Sequence, residues 1–241
     1  FIKRYEEETN LRCQIIIDDS SSMYFPPEAD LKPGEYNKIG FSIHCAAALI
    51  ELLLRQRDAI GLSVFSETTE LHTPSRSSLV HMRMLYHELE KRLEVKPEAA
   101  KKKTFAIEAI HQLAEAIHRR SMVMIFSDMF ESSENANELF AALQHLRHKK
   151  HEVVLFHVVD KSKELDFEYE KRPYKFIDTE TGEEVRVNPA EVKENYLESM
   201  KKFKKELMLH AARYRIYFVE ADIHEGFHNV LMTYLQKRQR L

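Results

Sequence analysis

Asp18, Ser20 and Ser22 alternate in the run Asp18-Asp19-Ser20-Ser21-Ser22, directly after the apolar stretch Ile15-Ile16-Ile17. Asp128 holds a comparable place after Met122-Val123-Met124-Ile125-Phe126-Ser127, and Thr104 opens the stretch that leads into that second apolar run. Two carboxylates and three hydroxyls are hard oxygen donors, a set that suits Mg²⁺ or Mn²⁺ and offers no soft ligand for Zn²⁺ or Cu. Neutral hydroxyls in direct contact leave a cation's charge undersatisfied. Carboxylates held one water away soften that deficit without closing the shell, so such a site would still attract an outside carboxylate. Taken singly, Ser20 and Ser22 also read as loop or cap residues and Asp128 as a helix cap. The convergence of three segments is what favours a cation site.

The elements that would position these groups follow from the hydrophobic pattern. Residues 12–17 form a short β-branched run, read as a buried strand ending in a polar loop. Asn37 is placed to cap a helix that runs towards Arg57. Residues 59–65, 121–126 and 152–159 read as further buried strands, and residues 215–220 as the last. Glu70 to Pro74 reads as a short edge strand, where a proline is tolerated. Helices are expected over 77–93, 104–118, from Ser133 or Asn135 to about His148, over 190–214 and over 227–236. Lys161 to Val187 changes character: Phe176-Ile177-Asp178 and Val185-Arg186-Val187 flank Thr181-Gly182. That pattern predicts a two-stranded ribbon, so residues 161–188 are expected to be a surface insertion.

Strands alternating with helices imply βαβ units. The expected fold is a doubly wound α/β domain over residues 1–241, with a mostly parallel central sheet, helices on both faces, one short edge strand and the ribbon. In such a sheet, sites form beyond the carboxyl ends of the strands, where Asp18, Ser20, Ser22, Thr104 and Asp128 would meet.

At this point the chain resembles a known family. Asp18-Asp19-Ser20-Ser21-Ser22-Met23 is similar to the Asp-x-Ser-x-Ser signature of the metal-ion-dependent adhesion site in von Willebrand factor type A domains. Thr104 resembles the isolated threonine of that family's second loop, and Asp128 the aspartate of its third. The resemblance implies direct metal contact by Ser20 and Ser22, contact by Thr104 directly or through water, and contact by Asp18 and Asp128 mainly through water. More narrowly, Leu53-Leu54-Arg55-Gln56-Arg57-Asp58-Ala59-Ile60-Gly61-Leu62 and Phe176-Ile177-Asp178-Thr179-Glu180-Thr181-Gly182-Glu183 resemble the prokaryotic domain-of-unknown-function family fifty-eight. The likeness runs from about Tyr5 to the end. Members of that family often carry a further segment upstream. With no Met before Phe1, such a segment is expected here. Their genes commonly neighbour MoxR-type AAA+ ATPases, which implies that class as a partner. One departure stands out: the family usually places glycines before the threonine, whereas Lys101, Lys102 and Lys103 precede Thr104. Three lysines there would oppose a cation or steer an acidic protein partner to the site, unless they point into solvent from a loop.

Other signals lead elsewhere. His224-Glu225-Gly226-Phe227-His228 fits the zinc-protease pattern, but that pattern needs one continuous helix and Gly226 interrupts it. A Mg²⁺-dependent phosphatase of the haloacid-dehalogenase kind would use Asp18 as nucleophile with a second Asp two positions on. Position 20 is Ser, so the acid/base partner is lacking and no enzyme is expected. A net charge of -3, from 36 basic and 39 acidic residues, argues against a nucleic-acid binder. The basic clusters Lys201-Lys202-Phe203-Lys204-Lys205 and Lys237-Arg238-Gln239-Arg240 read as a solvated helix face and a tail. No run reaches the roughly 18–20 apolar residues of a membrane helix. Cys13 and Cys45 match no ligand spacing and read as reduced thiols, which suggests a cytoplasmic location. The chain is therefore expected to bind a divalent cation and, through it, a protein offering an exposed Asp or Glu.

Overall fold

The computed structural model describes residues 11–66, 68–94, 106–118, 120–129, 136–170, 172–177 and 184–238. Its strands are β1 (Arg12–Asp18), β2 (Ala59–Phe65), β3 (Thr69–His72), β4 (Met122–Ser127), β5 (Glu152–Val159), β6 (Tyr174–Ile177), β7 (Glu184–Val187) and β8 (Tyr217–Asp222). Its helices are α1 (Lys38–Arg55), α2 (Leu79–Leu93), α3 (Ala106–Ala116), α4 (Ala136–His148), α5 (Pro189–Arg213) and α6 (Phe227–Arg238). Six strands make one sheet in the order β3-β2-β1-β4-β5-β8. All neighbours run parallel except β3, the short edge strand, which is antiparallel to β2. β6 and β7 form a separate antiparallel ribbon.

The sheet is covered on both faces because its central strands carry apolar runs whose successive side chains point to opposite sides. Ile15, Ile17, Met124, Phe126 and Phe156 pack with α1, α2 and α6. Ile16, Val123, Ile125 and Leu155 pack with α3, α4 and α5. Each such side chain, fully buried, stabilises the fold by about 1.5–3 kcal/mol relative to exposure. Cys13 and Cys45 are both buried free thiols, and burial pushes the Cys13 thiol up to about 12. Among the described residues, no helix is long and apolar enough to cross a membrane.

The strand order reverses between β1 and β4. Chain connections leave β1 towards one side and β4 towards the other, and the loops part to leave a crevice at the carboxyl ends. Asp18 ends β1 and Ser127 ends β4, so the two flank that crevice.

Element ends moved for local reasons. β8 begins at Tyr217, two residues later than expected, because the chain needs residues 214–216 to leave α5. The N–H of Ile216 donates to the carbonyl of Ala211 (2.8 Å) and that of Arg215 to Ala212 (3.1 Å), with Arg215 left-handed at φ 55. This pattern closes a helix end. α2 begins at Leu79 because Ser78 caps it, accepting from the His81 N–H at 3.3 Å. The expected cap at Asn37 is present, its side chain accepting from the Gly40 N–H at 2.9 Å.

Residues 161–188 do not act only as a surface ribbon. Their first turn, Lys161–Leu165, folds against the sheet end and sends Glu164 inward. The aromatic rings of Phe167 and Tyr196 then join the segment to α5 at 4.4 Å between centroids.

Candidate functional site

At the end of β1, Asp18 is fully buried and both carboxylate oxygens have donors. The Ser20 N–H donates to Oδ1 at 3.0 Å and the Ser127 hydroxyl to Oδ2 at 2.6 Å. Ser127 in turn accepts from the Met129 N–H at 2.9 Å, so one hydroxyl ties β1 to the loop that leaves β4. The chain after Asp18 turns at once into a 3-10 turn over Ser21–Tyr24. That turn brings the Ser20 and Ser22 hydroxyls to 3.1 Å from each other, Ser20 buried and Ser22 partly open. Burial drives the Asp18 carboxyl up to about 7, and the nearby charge of Asp128 adds to the rise. The hydrogen bonds from Ser127 and Ser20 oppose it.

Asp19 faces away from this corner. It accepts from the Tyr24 hydroxyl at 2.7 Å, and Arg92 of α2 lies 3.9 Å from its second oxygen. Two adjacent aspartates thus serve different sides of the strand end.

Asp128 is also buried, but its partner is an ammonium. Lys38 Nζ donates to Asp128 Oδ2 at 2.7 Å and to Glu164 Oε1 at 2.6 Å. Lys38 is the first residue of α1 and is 1% exposed. The Phe25 ring lies 6.0 Å from its ammonium. Burial alone would lower its affinity for a proton, yet Asp128 and Glu164 outweigh that and hold it charged. Glu164 is fixed from behind, because the Asp160 N–H donates to its Oε2 at 2.7 Å. Burial raises the Glu164 carboxyl above its usual range, and the Lys38 charge works against the rise.

Of the residues singled out in the sequence, Asp18, Ser20 and Ser22 lie together. Asp128 lies within electrostatic reach of Asp18 at the same sheet edge. Thr104 and the run Lys101, Lys102 and Lys103 lie outside the described residues. Sequence reasoning missed Lys38, Glu164 and Ser127. Lys38 carried a usable signal: a cation in the first turn of a helix opposes the macrodipole and needs an acidic partner to be tolerated there.

The zinc-protease pattern does not sit on one helix. His224 and Glu225 lie in a 3-10 turn, Gly226 breaks the chain direction at φ 76, and His228 belongs to α6. His224 instead meets Asp160, Nε2 to Oδ1, at 3.0 Å. Among the described residues no three His, Cys, Asp or Glu side chains gather as a ligand set. That leaves the serine hydroxyls as the donors to weigh. Two oxygens at neighbouring corners of an octahedral Mg²⁺ shell stand about 3 Å apart, given metal–oxygen distances of about 2.1 Å. The Ser20–Ser22 separation of 3.1 Å fits that spacing.

The fold and this edge define a doubly wound α/β protein with its polar groups at the switch point of the sheet. The chain belongs to the family described as "Protein of unknown function DUF58", which matches residues 1–206. No curated protein matches it. Among solved structures it is similar to the conserved hypothetical protein BatB from Bacteroides thetaiotaomicron. Identity is 14% over 95% of this chain and 100% of that one, with a TM-score of 0.49. It is also similar to an aerotolerance-related membrane protein from Bacteroides fragilis, at 17% identity over 91% of this chain and 100% of that one, TM-score 0.44.

Proposed function

We propose that the chain is a divalent-cation-dependent protein-interaction domain of the von Willebrand factor A kind. Mg²⁺ or Mn²⁺ would be held by Ser20 and Ser22 directly, by Thr104, and by Asp18 and Asp128 mainly through water. The cation would supply an open coordination position that a partner's Asp or Glu fills. The observation that carries this is the pair of serine hydroxyls 3.1 Å apart, backed by a buried Asp18 whose donors are all neutral. An anion solvated only by neutral donors in the interior has charge to spare for a cation.

The lysines Lys101 to Lys103 would steer an acidic surface towards this edge. The family resemblance makes a MoxR-type AAA+ ATPase the first partner to test. Phosphatase chemistry at Asp18 is not proposed, since position 20 offers a hydroxyl where such an enzyme needs a carboxyl.

The test is a calorimetric titration of Mn²⁺ and Mg²⁺ into the intact, chelator-treated chain. One site is expected, weakened at least about tenfold in Ser22→Ala or Asp18→Ala, the equivalent of about 1.4 kcal/mol. Equal binding by the wild type and both variants would refute the site. Partner capture should then weaken with chelator, with Thr104→Ala and with rising salt.

A further inference from the structure

Lys38 occupies the wrong end of a helix for a cation and is buried besides, two penalties that its carboxylate partners must offset. Those partners come from separate parts of the chain: Asp128 from the end of β4, and Glu164 from the turn after β5. The ammonium bridges them at 2.7 and 2.6 Å. Glu164 is pinned by the Asp160 N–H, so it stays in place whatever Asp128 does. Asp18, buried at the same sheet edge, has the Asp128 charge within electrostatic reach.

Resting on the cation site proposed above, we infer that Lys38 is a resident competitor of the divalent cation: it holds Asp128 in the metal-free state, and Glu164 is the carboxylate that keeps the ammonium when the cation draws on Asp128. Lys38 and Glu164 would then set the affinity of a site that neither of them ligates. Lys38 weakens the cation by repulsion and by occupying Asp128. Glu164 strengthens it, both by its charge and by offering Lys38 an alternative partner. A lysine with a merely structural role would stabilise the fold and leave cation affinity unchanged.

The experiment is Mn²⁺ titration of the intact chain as wild type, Lys38→Met, Glu164→Gln and Ser22→Ala, with thermal unfolding followed in the same samples. Removing one charge from the group that holds Asp128 should move the affinity at least about tenfold. Lys38→Met should therefore bind Mn²⁺ more tightly and Glu164→Gln more weakly. Saturating Mn²⁺ should raise the unfolding temperature of Lys38→Met by more than it raises that of the wild type. Where Ser22→Ala loses Mn²⁺ but Lys38→Met and Glu164→Gln match the wild type within about twofold, Lys38 is structural only and the inference falls while the cation site stands. Where no variant binds Mn²⁺, or Ser22→Ala binds as well as the wild type, the cation site itself falls and the inference with it. Should Lys38→Met fail to fold, Glu164→Gln decides alone, with unchanged or tighter binding overturning the inference.

Discussion

β1 and β4 lie side by side, and each is followed or ended by a buried aspartate, yet the two strand ends solve the same electrostatic problem differently. Asp18 is met by a backbone N–H and a serine hydroxyl. Asp128 is met by a lysine that reaches it from the first turn of α1. Burial raises the Asp18 carboxyl, the Asp128 charge adds to the rise and the neutral donors oppose it only in part, whereas two carboxylates keep Lys38 charged. Adjacent carboxylates with unequal partners leave one corner held by neutral donors and the other by an ammonium.

The largest test of this contrast is to remove the ammonium. Without metal, Lys38→Met takes the ammonium from the buried Asp128 and Glu164 and should cost about 3–5 kcal/mol in urea unfolding. A loss near zero would mean that the ammonium contributes nothing to the β4 corner.

The Asp18 corner should show itself in pH dependence. Its folded-state value, about 7, lies above the unfolded 3.8. The folded state therefore binds the extra proton between those values, and stability falls as pH rises through that window. The fall should amount to about 2–4 kcal/mol in metal-free buffer. Urea midpoints measured from pH 4 to pH 8 should trace it, and Asp18→Asn or saturating Mg²⁺ should flatten it. A wild-type slope equal to that of Asp18→Asn would show that Asp18 is not the group involved.

Ser127→Ala comes next. It takes the donor from Asp18 Oδ2 and the acceptor from the Met129 N–H, two buried groups at once, and should cost about 1–3 kcal/mol. Stability within experimental error of the wild type would break the link drawn between the β1 and β4 corners.

The smallest effect belongs to His224→Ala. Asp160 keeps the Ser162 hydroxyl and the Lys163 N–H when the half-exposed imidazole is lost. A change below about 1 kcal/mol is expected by the same measurement.

The contrast also explains what was readable in advance. Strand and helix identity followed from apolar runs such as Ile15-Ile16-Ile17, because a sheet covered on both faces makes its central strands mostly apolar. Asp18, Ser20 and Ser22 were legible because they are close in sequence and end such a run. Lys38 and Glu164 were not: 90 and 126 residues separate Lys38 from its two partners. No local period encodes a contact across that distance: a cation in the first helical turn tells that Lys38 needs an acidic partner but not which one, and in a chain with 31% charged residues Glu164 does not look unusual. The turn at Lys161–Leu165 was hidden by its own composition, since a charged segment reads as solvated unless a partner for one of its charges is known.

The pairing of β1 on both sides has a further consequence, for the lifetimes of the two corners. Every residue of β1 has a register partner in β2, and residues 13–17 have a second in β4. Amide protons so placed exchange with solvent only through global opening, whereas a two-stranded ribbon such as β6–β7 exchanges by local fraying. Glu164 lies on the segment that leads into that ribbon. Hydrogen exchange should therefore find the strand leading to Asp18 among the slowest amides of the molecule and the ribbon among the fastest. The serine corner, carried by the most protected strand, would then keep its shape through fluctuations that open the ribbon.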